Sequence, residues 1–97
     1  MINFLFHFII HRNYVLQFLV KKNILEVNSI LVLKLLNKYV ELSTNKYASN
    51  VVEDLLHYSG NAAIIVNEIM HSPDFLQVVL HEYGNYVVQR ALQFTQV

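Results

Sequence analysis

The sequence predicts an all-α protein, built as a solenoid of repeated units. Three observations carry that prediction. The first is a fixed period: Asn13-Tyr14-Val15-Leu16-Gln17, Ser49-Asn50-Val51-Val52-Glu53 and Asn85-Tyr86-Val87-Val88-Gln89 follow one another at intervals of 36 residues. A period in this range marks units that bury their apolar faces only against neighbours. The second is helical spacing, because Leu19, Leu55 and Ala91 stand four residues after Val15, Val51 and Val87. The third is composition. Two Gly and one Pro in 97 residues leave little material for the turns of a small β-barrel, and 55% hydrophobic against 14% charged residues argues against disorder.

The elements follow in order. The opening run from Met1 to Ile10 is nearly all apolar. It is too short for a bilayer span, which needs roughly 20 residues. It also lacks the basic segment and small-residue cleavage site of a secretory signal. Phe4, Phe6 and Phe8 fall in the columns of Val40, Leu42 and Thr44, and of Leu76, Val78 and Leu80, which predicts a buried first helix. Second helices are expected at Asn13–Lys22, Tyr47–His57 and Tyr83–Phe94. Third helices are expected at Asn28–Leu36 and Ala62–Met70, with Ile30 and Leu33 in the columns of Val66 and Ile69.

Asn23 and Ser59-Gly60-Asn61 mark joints, and Pro73 breaks the chain between units because it cannot continue a helix interior. The units are expected at 1–36, 37–72 and 73–97. On this register the chain starts in a first helix and stops after a second one, so the expectation is an array truncated at both ends. Ser49, with Glu53 a turn later, reads either as a helix-start signal or as a binding position.

Charge and chemistry narrow the function. Seven Lys+Arg balance seven Asp+Glu, giving zero net charge. That argues against gripping nucleic acid mainly through a basic field, and leaves base contacts and stacking. The absence of Cys excludes a disulfide framework and a thiolate metal site. His7 and His11 have the i, i+4 spacing of a metal-binding helix but no obvious third ligand, so packing or surface roles are expected. Neither His81 with Glu82 nor Asp54 with His57 has a nucleophile or a Gly-rich phosphate loop beside it. No enzyme, cofactor, metal or small-molecule substrate is expected. Lys21-Lys22 reads as a solvated joint or a phosphate contact.

Around the three triplets, His11-Arg12 precedes the first, Leu42-Ser43-Thr44-Asn45-Lys46-Tyr47-Ala48 the second and Tyr83-Gly84 the third. At these residues the chain resembles the Pumilio (PUF) family of RNA-binding repeats. The resemblance implies a right-handed α-solenoid of Pumilio-type three-helix repeats, a crescent whose middle helices line the concave face. Each repeat would read one base of single-stranded RNA running antiparallel to the protein. The order of recognition types matches this chain to the last three repeats of the family array.

Carried over position by position, Asn13 and Gln17, Ser49 and Glu53, and Asn85 and Gln89 would meet base edges. Tyr14, Asn50 and Tyr86 would take the stacking positions. The chemistry agrees, since residues i and i+4 share a helix face. Two side-chain amides match the mixed donors and acceptors of uracil, and an ionised carboxylate suits the paired donors of guanine. The implied element is 5′-UGU-3′, with Asn85/Tyr86/Gln89 on the first U, Ser49/Asn50/Glu53 on G and Asn13/Tyr14/Gln17 on the last U.

The family implies messenger-RNA untranslated regions as targets, partner proteins that repress or destabilise the message, a cytoplasmic location and no membrane. Two departures stand out: His11 replaces the Tyr of Tyr47 and Tyr83, and Arg12 replaces the small Ala48 and Gly84. Arg12 would either touch a phosphate or crowd the third base. At about 1–3 kcal/mol of stacking per base, three bases supply roughly 3–9 kcal/mol before the costs of association, so micromolar or weaker affinity is expected. A second class of function is a truncated paralogue, acting as a protein-interaction solenoid through exposed apolar ends or inactive as a fragment.

Overall fold

The computed structural model describes residues 2–94, with side chains from Phe4 onward. Met1 of the opening run and residues 95–97 of the last unit lie outside the described residues. The helices are α1 (Ile2–His11), α2 (Asn13–Lys21), α3 (Leu25–Lys34), α4 (Tyr39–Ser43), α5 (Ala48–Tyr58), α6 (Ala62–Met70), α7 (Phe75–Leu80) and α8 (Gly84–Leu92). They run first, second, third through two units and then first, second in the last. No strand occurs among the described residues, and none of their helices is long and apolar enough to cross a membrane. The arrangement is the expected helical solenoid.

The core is layered. α5 sits at the centre, with α2 against one flank, α8 against the other, and α4 and α6 behind it. Its buried residues Ala48, Ser49, Val51, Val52, Leu55 and Leu56 cover more than one face, as a helix with neighbours on several sides requires. Leu16 and Val20 of α2 and Val87, Val88 and Ala91 of α8 complete the layer. The first helix, expected to be buried, is buried only in part. Ile9 is fully buried, Phe6 and Phe8 pack against the core, and Phe4 is 74% exposed.

The third helices correct the sequence register. Ile30 and Leu33 are 58% and 56% exposed, whereas Val66 and Ile69 are buried. The buried positions of α3 are Asn28 and Val32, which stand 37 residues before Ile65 and Ile69. The left-handed residue that ends each second helix shows the same offset: Asn23 at φ 60° and Gly60 at φ 75°. Asn and Gly are the residues that accept this conformation most readily. The joints themselves are equally long, residues 22–24 and 59–61, so the missing residue lies at the end of α2, which stops at Lys21 where α5 runs to Tyr58. The residue is regained before α4, because Tyr39 and Phe75 return to the 36-residue spacing at the starts of α4 and α7. α3 accordingly starts at Leu25, three residues before the expected Asn28.

One side chain fixes the start of α4. The Glu68 carboxylate on α6 accepts hydrogen bonds from the Asn37 N–H (2.7 Å) and the Tyr39 N–H (2.9 Å), while Asn37 takes φ 71°. Tyr39 is fully buried and donates its hydroxyl to the Val32 carbonyl at 2.7 Å. Desolvation, reinforced by the Glu68 charge, pushes the Tyr39 phenol far above its ordinary range.

Candidate nucleic-acid interface

The three triplets occupy the first turns of α2, α5 and α8. A turn residue four positions ahead prepares two of these helix starts. Asn45 Oδ1 accepts from the Tyr47 and Ala48 N–H groups at 2.9 and 3.0 Å. In the same column, His81 Nδ1 accepts from the Tyr83 and Gly84 N–H groups at 3.0 and 3.2 Å. That imidazole must keep Nδ1 unprotonated to accept. The first unit has Ile9 in this column, fully buried and without a polar group. There α1 runs on to His11, and Arg12 alone (φ −134°) separates it from α2.

Ser49 is thus not the residue that caps α5. It is 3% exposed, and its hydroxyl donates back to the Lys46 carbonyl at 3.3 Å. The other members of its column also turn to the backbone. Asn85 Nδ2 donates to the His81 and Glu82 carbonyls at 2.8 and 2.9 Å, and Asn13 Nδ2 to the Tyr47 carbonyl at 3.5 Å. These contacts occupy the first edge position of each triplet within the fold.

The second edge position is where the units meet. Gln17 Nε2 donates to Asp54 Oδ2 at 3.0 Å, joining α2 to α5. Arg90 Nε lies 3.7 Å from Glu53 Oε1, joining α8 to α5. Gln89 Nε2 donates within its own triplet to Asn85 Oδ1 at 3.0 Å. Contacts from first turn to first turn (Asn13 to Tyr47) and one turn later (Gln17 to Asp54) set α2 and α5 side by side with the same polarity. Tyr14, Asn50 and Tyr86 are all exposed, Tyr14 and Tyr86 by 66% and 58%. Two flat rings and one amide therefore remain available for stacking.

Electrostatics concentrate at Glu53. Partial burial raises its carboxyl above the usual carboxylate range, and Asp54 adds to the rise. The Arg90 guanidinium opposes both, chiefly through its charge. A polar cleft of about 350 Å³ opens beside Glu53, lined also by Lys21, Asp54, His57, Tyr58 and Arg90. Asp54 and Arg90 share the column of Phe18 and were not singled out as site residues from sequence. Their signal was available: each directly follows a second edge residue, and 37 residues separate Gln17 from Asp54 and Glu53 from Arg90.

Arg12 is exposed, and its guanidinium donates to the neighbouring His11 carbonyl at 2.9 Å. Its column partners Ala48 and Gly84 are buried. A long side chain fits in the first unit because the α1–α2 junction is open there. The His7 and His11 rings lie 4.2 Å apart. Among the described residues no three or more His, Cys, Asp or Glu cluster to hold a metal ion.

The Pumilio-family RNA binding repeat profile matches residues 38–70 and 74–96, more than half of the chain. The chain belongs to the Pumilio family. Pumilio homolog 9 of Arabidopsis thaliana is 35% identical over 85 residues, and Pumilio homolog 11 of the same plant is 36% identical over 85 residues. Each alignment covers 87% of this chain and 15% of the relative. Pumilio homolog 12, also from Arabidopsis thaliana, is 37% identical over 83 residues, covering 84% of this chain and 14% of the relative. The chain thus spans about one-seventh of the length of these Pumilio relatives. No solved structure matches it. The profile omits the first unit, where Ile9, His11 and Arg12 depart from the Pumilio repeats that follow.

Proposed function

We propose that this Pumilio chain binds single-stranded RNA and reads a 5′-UGU-3′ element in messenger RNA. In this reading it acts in the cytoplasm to regulate translation or message stability together with repressor proteins. The observation that carries the reading is the repetition of one arrangement on three second helices. An exposed residue at the stacking position stands beside a Gln, Glu or Gln three residues later.

The hydrogen-bond inventory supports the assignment of bases. With one Nε2 hydrogen committed to Asp54 or Asn85, Gln17 and Gln89 each keep one N–H and the Oε1 acceptor. Uracil needs that pair, one donor for a carbonyl and one acceptor for its ring N–H. Ionised Glu53 offers only acceptors, which suits the adjacent ring N–H and amine of guanine and no other base. Tyr14 and Tyr86 supply stacking surfaces, and neither a catalytic step nor a cofactor enters the reading.

Fluorescence anisotropy with labelled RNAs tests it. The chain is expected to bind a UGU oligonucleotide more tightly than UUU, with Tyr86→Ala weakening both by roughly fivefold to 150-fold, the equivalent of about 1–3 kcal/mol of stacking. A folded sample that binds neither RNA at tens of micromolar refutes RNA reading, and it favours a protein-interaction role for the solenoid.

A further inference from the structure

Two of the contacts between second helices are one contact repeated. Gln17 meets Asp54 and Glu53 meets Arg90, each pair 37 residues apart. In both, the second edge residue of one unit is met by the residue following that position in the next unit. The pairs are also complementary in sense. The amide donor Gln17 finds an acceptor, and the acceptor Glu53 finds a donor. Surface solvation alone would not match partner type to edge type at a fixed column.

We propose that Asp54 and Arg90 are positioning residues: each sets how the second edge residue of the preceding unit meets its base, so base choice in one unit is tuned by its neighbour. The inference rests on the RNA-reading assignment above.

The chemistry differs at the two contacts. A carboxylate oxygen has two lone-pair directions. Arg90 Nε stands 3.7 Å from Oε1, an ion-pair distance, so lone-pair directions remain open on the carboxylate. That is enough for the two donors of guanine. A protonated Glu53 would turn an O–H toward those donors and lose the match. Burial and Asp54 both push toward that state, and Arg90 opposes them. The charged and titratable groups lining the cleft with Glu53 are Arg90 from α8, Lys21 from α2, and Asp54, His57 and Tyr58 from α5 itself. At Gln17 the bond to Asp54 fixes the rotation of the amide, so that Oε1 is presented and not exchanged with Nε2. Phe18 occupies the same column in the first unit. It carries no group of this kind and is 64% exposed, with Lys22 Nζ 4.6 Å from its ring centre.

The test measures UGU and UUU binding by anisotropy between about pH 4 and 8, spanning the ordinary carboxylate and imidazole ranges. It uses the unaltered chain and the Arg90→Gln and Asp54→Asn variants. Arg90→Gln is expected to lower the UGU:UUU preference by roughly twofold to fivefold, the scale of removing one partly exposed ion pair. It should also raise the pH at which the preference disappears. Asp54→Asn removes the opposing charge and should move that pH downward. Opposite movements in two variants cannot arise from a shared folding defect.

An Arg90→Gln chain that loses affinity for both RNAs equally, with the ratio and its pH profile unchanged, overturns the inference and makes Arg90 a phosphate contact. An unaltered chain with guanine preference and no response to either variant overturns it as well. An unaltered chain without guanine preference overturns the base assignment first, and this inference with it.

Discussion

Gly84→Ala is expected to destabilise the chain, and the geometry sets the size of the effect. Gly84 opens α8 directly before Asn85 and Tyr86, and it lies against the end of α7. A Cβ built on it would stand 2.6 Å from the Val78 carbonyl oxygen, 2.9 Å from Val78 Cγ1 and 3.1 Å from His81 Cβ. The closest of these atoms is backbone, and Val78 is β-branched and fully buried, so neither neighbour can move aside cheaply. Overpacking of this kind costs about 1–3 kcal/mol. The higher helix propensity of Ala returns up to about 1 kcal/mol. The net loss of about 1–2 kcal/mol corresponds to a fall in Tm of roughly 5–15 °C for a domain of this size.

Circular dichroism melting reads it directly, with Ala48→Gly as the reciprocal control. Ala48 occupies the same column in the middle unit, and there the first helix ends one residue earlier, at Ser43 and not at the counterpart of Leu80. Removing its methyl should cost about 1 kcal/mol through propensity and lost packing. A Gly84→Ala chain that melts at or above the parent would refute the close approach of α7 to α8.

Three further outcomes follow from the same structure. His81→Ala should lower stability by about 1 kcal/mol through loss of the acceptor at the start of α8, and His81→Asn should recover most of it, since Asn45 does the same task for α5; thermal melts of both variants check this. Glu68→Ala frees two N–H groups at the start of α4 and should cost about 1–2 kcal/mol in urea unfolding. Glu53→Gln should stabilise the free chain slightly at neutral pH, by under about 1 kcal/mol given its partial exposure. Because folding raises the Glu53 carboxyl, its ionised form opposes the fold above that raised value, and the opposition fades as pH falls through it. The gain from Glu53→Gln should therefore vanish in melts at acidic pH.

Much of this was legible in the sequence, for identifiable reasons. The second helices were legible because their apolar columns, Val15/Val51/Val87 and Leu16/Val52/Val88, combine helical spacing with an undisturbed period, and of the six only Val15, 41% exposed, lies outside the core. The third helices misled for an equally definite reason. Ile30 and Leu33 are as apolar as Val66 and Ile69, so composition could not reveal that α2 ends one residue early, at Lys21. The buried polar Asn28, whose Nδ2 donates to the Val20 carbonyl at 3.0 Å, reads as a surface residue until the fold is seen. At the triplets, Tyr14, Asn50 and Tyr86 are exposed, whereas Ser49 is buried and the helix starts depend on Asn45 and His81. Asn and His in a turn announce no single task. Asp54 and Arg90 were hidden because their partners lie 37 residues away, a relation that only packed neighbouring helices make physical.

The lost and regained residue also has a consequence for the geometry of the array. The shortening falls at the end of α2, and it is made good by the end of α3, since α3 and α6 end 36 residues apart. The spacing from Asn13 to Ser49 to Asn85 is untouched. The connections on either side of the third helices keep their lengths, so the difference is carried entirely by where helices stop. Helix ends thus work as a vernier, sliding a third helix by one position against the core while the helices bearing the polar triplets stay in step.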